Sequence, residues 1–190
     1  MSRNLKLQVQ ISVDGFIAGP NGEMDWMTWN WDEDLKDYVN KITGPVDTIV
    51  LGRKLAEGFI PYWTNVASDS NNPEFAFAKI MTDTPKIVFT KTLDNSIWAN
   101  TDLAKGNLVT EINSLKNKRG NDIIVYGGSS FVSSLIGENL IDEFHLFVNP
   151  TIIGNGMPIF KGINSRQNLL FVRSQGFECG INVLVYTLRK

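Results

Sequence analysis

The sequence predicts an α/β fold: a mixed, mostly parallel sheet with helices on both faces and an antiparallel edge at the C-terminal end. Three observations carry this. Strand-like and helix-like segments alternate through the first two thirds of the 190 residues, strands dominate the end, and glycine-containing turns sit where strands run out. No repeat, low-complexity tract or linker divides the chain. Residues 1–190 therefore read as one domain, long enough to bury a real hydrophobic core.

Leu5, Leu7, Val9, Ile11 and Val13 alternate with Lys6, Gln8, Gln10 and Ser12, the period of a strand with one face toward a core. After Asp14-Gly15, a short apolar run Phe16-Ile17-Ala18 ends in the loop Gly19-Pro20-Asn21-Gly22. Asp32 opens a helix marked by Leu35, Val39 and Ile42, with acids in its first turn, and Gly44-Pro45 stops it. Residues 48–51 form a short strand ending in Gly52-Arg53. The spacing then predicts a helix over 73–81, a buried strand over 86–90, another strand over 98–103 and a helix over 107–117. Residues 123–126 run as a strand straight into Gly127-Gly128-Ser129-Ser130, where a helix carrying Phe131, Leu135 and Ile136 begins. Phe144, Leu146 and Val148 alternate before Pro150, and the loop Ile153-Gly154-Asn155-Gly156 follows. Two last strands, about 169–174 and 182–188, make an antiparallel hairpin around Gly176 to Gly180.

Composition excludes several functions. Eighteen Lys and Arg are scattered among 20 Asp and Glu, for a net charge of −2, so no basic face for nucleic acid is expected. One cysteine, Cys179, rules out an intrachain disulfide and a cysteine zinc site, and one histidine, His145, rules out a His-rich metal site. A metal site is not predicted, although a carboxylate Mg²⁺ site stays open. No apolar run reaches the roughly 20 residues that cross a bilayer, and the N-terminus lacks the apolar stretch of a signal peptide. A cytoplasmic protein without membrane or nucleic-acid partners is expected.

The strand–Gly127-Gly128-Ser129-Ser130–helix junction is the strongest chemical signal. Unpaired N–H groups at a helix start, reached over glycines, suit a dinucleotide pyrophosphate, and the competing reading is a plain tight turn. Gly52-Arg53-Lys54 and Thr90-Lys91 stand at the ends of two other strands, where open α/β sheets bind ligands, and their cations suit the 2′-phosphate of NADPH. The competing reading is a solvated basic pair. Trp26, Trp29 and Trp31 precede Asp32, Glu33 and Asp34. Aromatic rings beside a carboxylate can hold a planar heterocycle and steer its protonation, or the loop can simply be anchored by its rings. Asp14 is either a turn residue or a pocket acid, and His145 reads as structural. No nucleophile elbow or P-loop is present.

In order along the chain, six segments resemble one family. They are Ser12-Val13-Asp14-Gly15-Phe16-Ile17-Ala18, Gly52-Arg53-Lys54, residues 86–93 (KIVFTKTL), Ile123-Ile124-Val125-Tyr126-Gly127-Gly128, Leu140-Ile141-Asp142-Glu143 and residues 150–160 (PTIIGNGMPIF). The chain is similar to the reductase domain of bacterial riboflavin-biosynthesis proteins, in the stand-alone form grouped with dihydrofolate reductase family proteins. The resemblance implies a three-layer dihydrofolate-reductase-like fold, NADPH as hydride donor, a small-molecule substrate and a homodimer. It implies that Gly127, Gly128 and Ser129 hold the pyrophosphate, Gly52, Arg53 and Lys54 lie along the adenosine side, and Thr90 and Lys91 stand near the 2′-phosphate. Gly154 and Gly156 would lie near nicotinamide and substrate, with Trp26 and Trp29 bordering the substrate. Asp14, Glu33 or Asp34 would supply a proton. The riboflavin enzymes must also grip a ribose phosphate, and no arginine cluster for it is evident here. Reduction of a dihydropterin-like ring is the neighbouring reading, and a non-catalytic nucleotide- or pterin-binding protein is the alternative from a different class.

Overall fold

The computed structural model describes residues 3–189; Met1, Ser2 and Lys190 lie outside the described residues. An eight-stranded sheet runs through the molecule. Its elements follow as β1 (Leu5–Ser12), β2 (Phe16–Ala18), α1 (Glu33–Thr43), β3 (Val46–Gly52), α2 (Arg53–Val66), α3 (Phe75–Asp83), β4 (Lys86–Phe89) and β5 (Thr101–Ala104). Then come α4 (Leu108–Asn117), β6 (Asp122–Tyr126), α5 (Ser129–Gly137), β7 (Glu143–Asn149), β8 (Met157–Pro158), β9 (Leu169–Gly176) and β10 (Asn182–Leu188). The strand order is β5-β4-β3-β6-β1-β7-β10-β9. From β5 to β7 every neighbour is parallel, so those strands all end on one edge. β10 lies antiparallel to β7 and to β9, which makes the predicted antiparallel edge.

Alternate residues of the central strands feed opposite layers. Leu5, Leu7, Val9 and Ile11 pack with Val125 and Phe144 beneath α4 and α5. Full burial of one such side chain contributes roughly 1.5–3 kcal/mol. On the other face, α1 covers Phe147, Val183 and Val185, while α2 and α3 cover Ile49, Leu51 and Val88. This is a three-layer α/β arrangement.

Four features depart from the expectation. Helix α2 follows Gly52 directly, although Gly58 and Pro61 inside it break a helical pattern. It forms because Ala56 and Ile60 bury against the sheet. The polar positions of β1 are not solvated: α1 and its neighbours cover them, with Lys6 buried against Asp122 at 2.7 Å. The third is a small two-stranded sheet, in which β2 pairs with β8 where only loop and a short apolar run were expected. Strand β5 also starts at Thr101, leaving Trp98 outside it.

Candidate active site

The carboxyl ends of β3 and β6 are neighbours, yet the helices that follow leave in opposite directions. After β3, α2 packs on the face that holds Ile49 and Leu51; after β6, α5 packs on the face that holds Ile123 and Val125. A parallel sheet that parts its helices this way opens a crevice at the strand ends, the usual ligand position in open α/β folds. The two helix starts touch. Leu55 of α2 lies 3.7 Å from a Cβ built on Gly128, and a Cβ on Gly52 would stand 2.8 Å from that of Phe131 in α5.

Both helices begin on glycine and neither has a side-chain cap. Gly127 (φ +33°) and Gly128 (φ +84°) take left-handed backbone that L residues adopt at a cost, while a Cβ there would meet little besides Leu55. The backbone N–H groups at Ser129 therefore face an open cradle, which fits a phosphate. Gly52 has a different reason to be glycine: it lets α2 start against Phe131. The Ser129 hydroxyl is likewise committed, donating to the carbonyl of Pro158 at 3.0 Å, and Ser133 donates to that of Ile159 at 2.6 Å. Those two serines tie β8 to α5.

Arg53, Lys54 and Lys91 follow the carboxyl ends of β3 and β4. Arg53 reaches only Glu57 of its own helix, at 2.5 Å, and Lys54 and Lys91 have no ion-pair partner among the described residues. Thr90 is buried, and its Oγ1 accepts from the N–H groups of Thr92 and Leu93, both at 3.1 Å. It shapes the turn that presents Lys91.

The ends of β1 and β7 form the second half of the crevice. Asp14 accepts from the backbone of Gly154 at 2.8 Å and of Ile153 at 3.3 Å, pinning the glycine-rich loop between β7 and β8. Ser12 and those two N–H groups hold the Asp14 carboxyl below the usual carboxylate range, and the same bonds anchor the loop. Gly156 is needed because a Cβ there would strike the carbonyl of Ala18. Asn149, fully buried, was not anticipated. Its Oδ1 accepts from Thr28 N–H at 2.8 Å and its Nδ2 donates to Gln10 at 2.8 Å, which fastens the tryptophan loop to the sheet. Within that loop, Trp26 is half-buried, Trp29 is exposed and Trp31 stacks on Phe147.

The three acids of the loop and helix part company. Asp32 caps α1, accepting from Leu35 N–H at 2.8 Å and Cys179 N–H at 3.0 Å, and those bonds lower its pKa. Glu33 is exposed and pairs with Lys36 at 2.7 Å. Asp34 is exposed and unpartnered among the described residues. Asp32 is thus committed as a helix cap, while Glu33 and Asp34 lie exposed on the first turn of α1. His145 lies far from this edge in a structural role, buried between Tyr38, at 2.7 Å from Nδ1, and Glu143.

Comparison with known proteins agrees with this geometry. Residues 3–183 match the RibD C-terminal domain family. The chain is 34% identical over 193 residues to the uncharacterized protein YyaP of Bacillus subtilis, covering 98% of each. Among solved structures, a deaminase/5-amino-6-(5-phosphoribosylamino)uracil reductase of Thermotoga maritima superposes with a TM-score of 0.70 at 18% identity, covering 99% of this chain and 57% of that one. Dihydrofolate reductase of Enterococcus faecalis, complexed with NADP(H) and RAB-propyl, superposes with a TM-score of 0.62 at 18% identity over the whole of both chains. A three-layer sheet, a glycine-started helix pair at its switch point and a family match over nearly the full length lead to one assignment: the chain belongs to the RibD C-terminal domain family of reductases.

Proposed function

We propose that the chain is an NADPH-dependent reductase delivering hydride to a C=N or related electrophilic carbon of a small heterocycle. One observation carries this reading: two helix starts free of side-chain caps, at Gly52 and Gly128, lie side by side at the switch point, with Lys54 and Lys91 at the same sheet edge lacking ion-pair partners among the described residues. The N–H groups after Gly127 and Gly128 would hold the pyrophosphate, with Arg53 and Lys54 along the adenosine side and Lys91, presented by Thr90, at the 2′-phosphate. When bound, the cofactor supplies the hydride. The chain supplies position: Asp14 and Gly156 fix the β7–β8 loop, and Trp26 and Trp29 border the substrate. Protonation at the substrate nitrogen falls to water at this open edge, with Asp34 as the carboxylate free to relay it.

The named activity of the Thermotoga neighbour supports an aminopyrimidine as substrate, and the dihydrofolate reductase neighbour supports a pterin-like ring as the second choice. The same reading carries a cytoplasmic setting and a homodimer. The dimer has support in Leu170, Phe171 and Val172, three exposed apolar residues in a row on the edge strand β9.

Titration with NADPH and NADH, followed by tryptophan quenching and energy transfer to the nicotinamide, tests the assignment. NADPH is expected to bind at low-micromolar concentration and about tenfold more tightly than NADH, and Lys91→Gln should erase most of that preference. Failure of both cofactors to bind below millimolar concentration would end the reading.

A further inference from the structure

The two halves of the crevice carry opposite charge. Around β3, β4 and β6 stand Arg53, Lys54 and Lys91. Around β1 and β7 there is no such set. No Lys or Arg occurs between Lys6 and Lys36, a stretch that holds Asp14, Glu23, Asp25, Asp32, Glu33 and Asp34. From Leu146 to Phe160 no residue is charged at all. The flanking cations are Lys36, which Glu33 holds, and Lys161, exposed beyond β8.

A phosphate can also be held by backbone N–H groups, and the glycine-rich loop has the shape for it, with Gly154 at φ +73°. Those groups are taken. The Asp14 carboxylate receives the N–H of Gly154 and of Ile153, so an internal anion fills the place an external one would need. What the substrate half offers outward is apolar: Trp29 is 62% exposed and Ile152 72%. Both are tied to this edge, since Thr28 bonds Asn149 and Thr151 accepts from Val13 N–H. A phosphate dianion here would lose hydration, meet carboxylates and gain no cation from residues 7–35 or 146–160. A flat uncharged or cationic ring would gain an aromatic contact and, if cationic, a favourable field.

We infer that the substrate of this protein is a planar heterocycle without a phosphate group, neutral or cationic where it meets Trp29 and the acidic loop. The inference rests on the reductase reading for the location of the site. It separates this chain from an enzyme that must grip a ribose phosphate.

Two measurements decide it, each made with and without saturating NADPH. In the first, inorganic phosphate is titrated while the backbone amide resonances are followed. The signals of Ile153 and Gly154 are expected to stay in place to tens of millimolar, whereas phosphate entering the cofactor half of the apoprotein would move those of Gly128 and Ser129. A saturable shift at Ile153 and Gly154 overturns the inference. In the second, 5-amino-6-ribitylaminouracil and its 5′-phosphate are compared by quenching of Trp29, assigned with Trp29→Phe. The unphosphorylated compound should bind at least about tenfold more tightly. Equal or tighter binding of the phosphate ester overturns the inference, and if neither binds, the amide shifts decide alone. Absence of NADPH binding would strike the reductase reading and leave the phosphate result standing.

Discussion

The two edges of the sheet use their charges differently. At the amino edge each buried cation has an internal partner. Arg3 reaches Asp47, the Thr48 hydroxyl at 2.7 Å and the Asn121 carbonyl at 2.6 Å. Lys6 meets Asp122 at 2.7 Å, Lys116 meets Asp142 at 2.5 Å, and Lys86 donates to the carbonyls of Thr82 and Thr84 at 2.9 and 2.8 Å. At the carboxyl edge Lys54 and Lys91 lack ion-pair partners among the described residues, and two helix starts have no side-chain cap. Two shallow depressions of about 350 and 460 Å³ lie at the amino edge, near Asn139 and Arg189, away from every candidate residue. The amino edge satisfies its buried cations internally, whereas the carboxyl edge leaves Lys54 and Lys91 without ion-pair partners among the described residues, as the proposed anion site requires.

That contrast breaks most sharply at Gly128. At φ +84°, alanine strains the backbone and puts a methyl in the cradle proposed to receive the phosphate. Gly128→Ala should weaken NADPH binding about 100-fold, which corresponds to about 2.7 kcal/mol, while the protein still folds. Gly137→Ala, at the far end of the same helix with open space around it, should leave binding unchanged. Calorimetric titration of both variants checks the pair. Equal losses would mean that the helix, rather than its glycine start, is what matters.

The strands, the antiparallel C-terminal edge and the glycine junction before α5 were legible in the sequence for a physical reason. Apolar alternation marks strands, and Gly127-Gly128 between a strand and a helix marks positive φ. Gly52 drew attention as a ligand residue, but its glycine answers to Phe131, a contact between residues 79 positions apart that no local pattern announces. Helix α2 was invisible because Gly58 and Pro61 mask a helix that tertiary burial stabilises. The polar face of β1 looked solvated because a single strand cannot show that Asp122 will arrive to pair with Lys6. Asn149 drew no attention in the sequence, and its role depends on Thr28, 121 positions away. Glu33 and Asp34 lie in the stretch where acids were expected, yet only the folded helix shows that they face solvent.

Lys86 sharpens the comparison from the amino edge. Burial pushes its ammonium down to about 8 from an ordinary 10.5, with Asp83 opposing. Because the folded pKa lies below the unfolded one, the unfolded chain binds more protons between those values, and stability rises with pH across that window. From pH 8 to pH 10 this should add about 1–2 kcal/mol to the unfolding free energy, after discounting for solvent that reaches the amine. Lys86→Met should lose that rise, so that the difference between wild type and variant widens with pH in urea titrations. NADPH affinity should not change, since the residue opens β4 at the edge away from the cradle.

The smallest effect separates helix starts on the carboxyl edge itself. Helix α4 also begins there, after β5, but Asn107 caps it, its Oδ1 accepting from Thr110 N–H at 3.2 Å. A side chain that already satisfies an end N–H leaves less for a ligand, so this helix should contribute to stability alone. Asn107→Ala should cost about 1 kcal/mol of unfolding free energy. NADPH affinity should stay within about twofold of wild type, read in the same titration used for Gly128→Ala. A larger loss of affinity would show that the cofactor spans α4 as well. It would also show that a missing side-chain cap is not what distinguishes the helix starts that bind from those that only hold the fold.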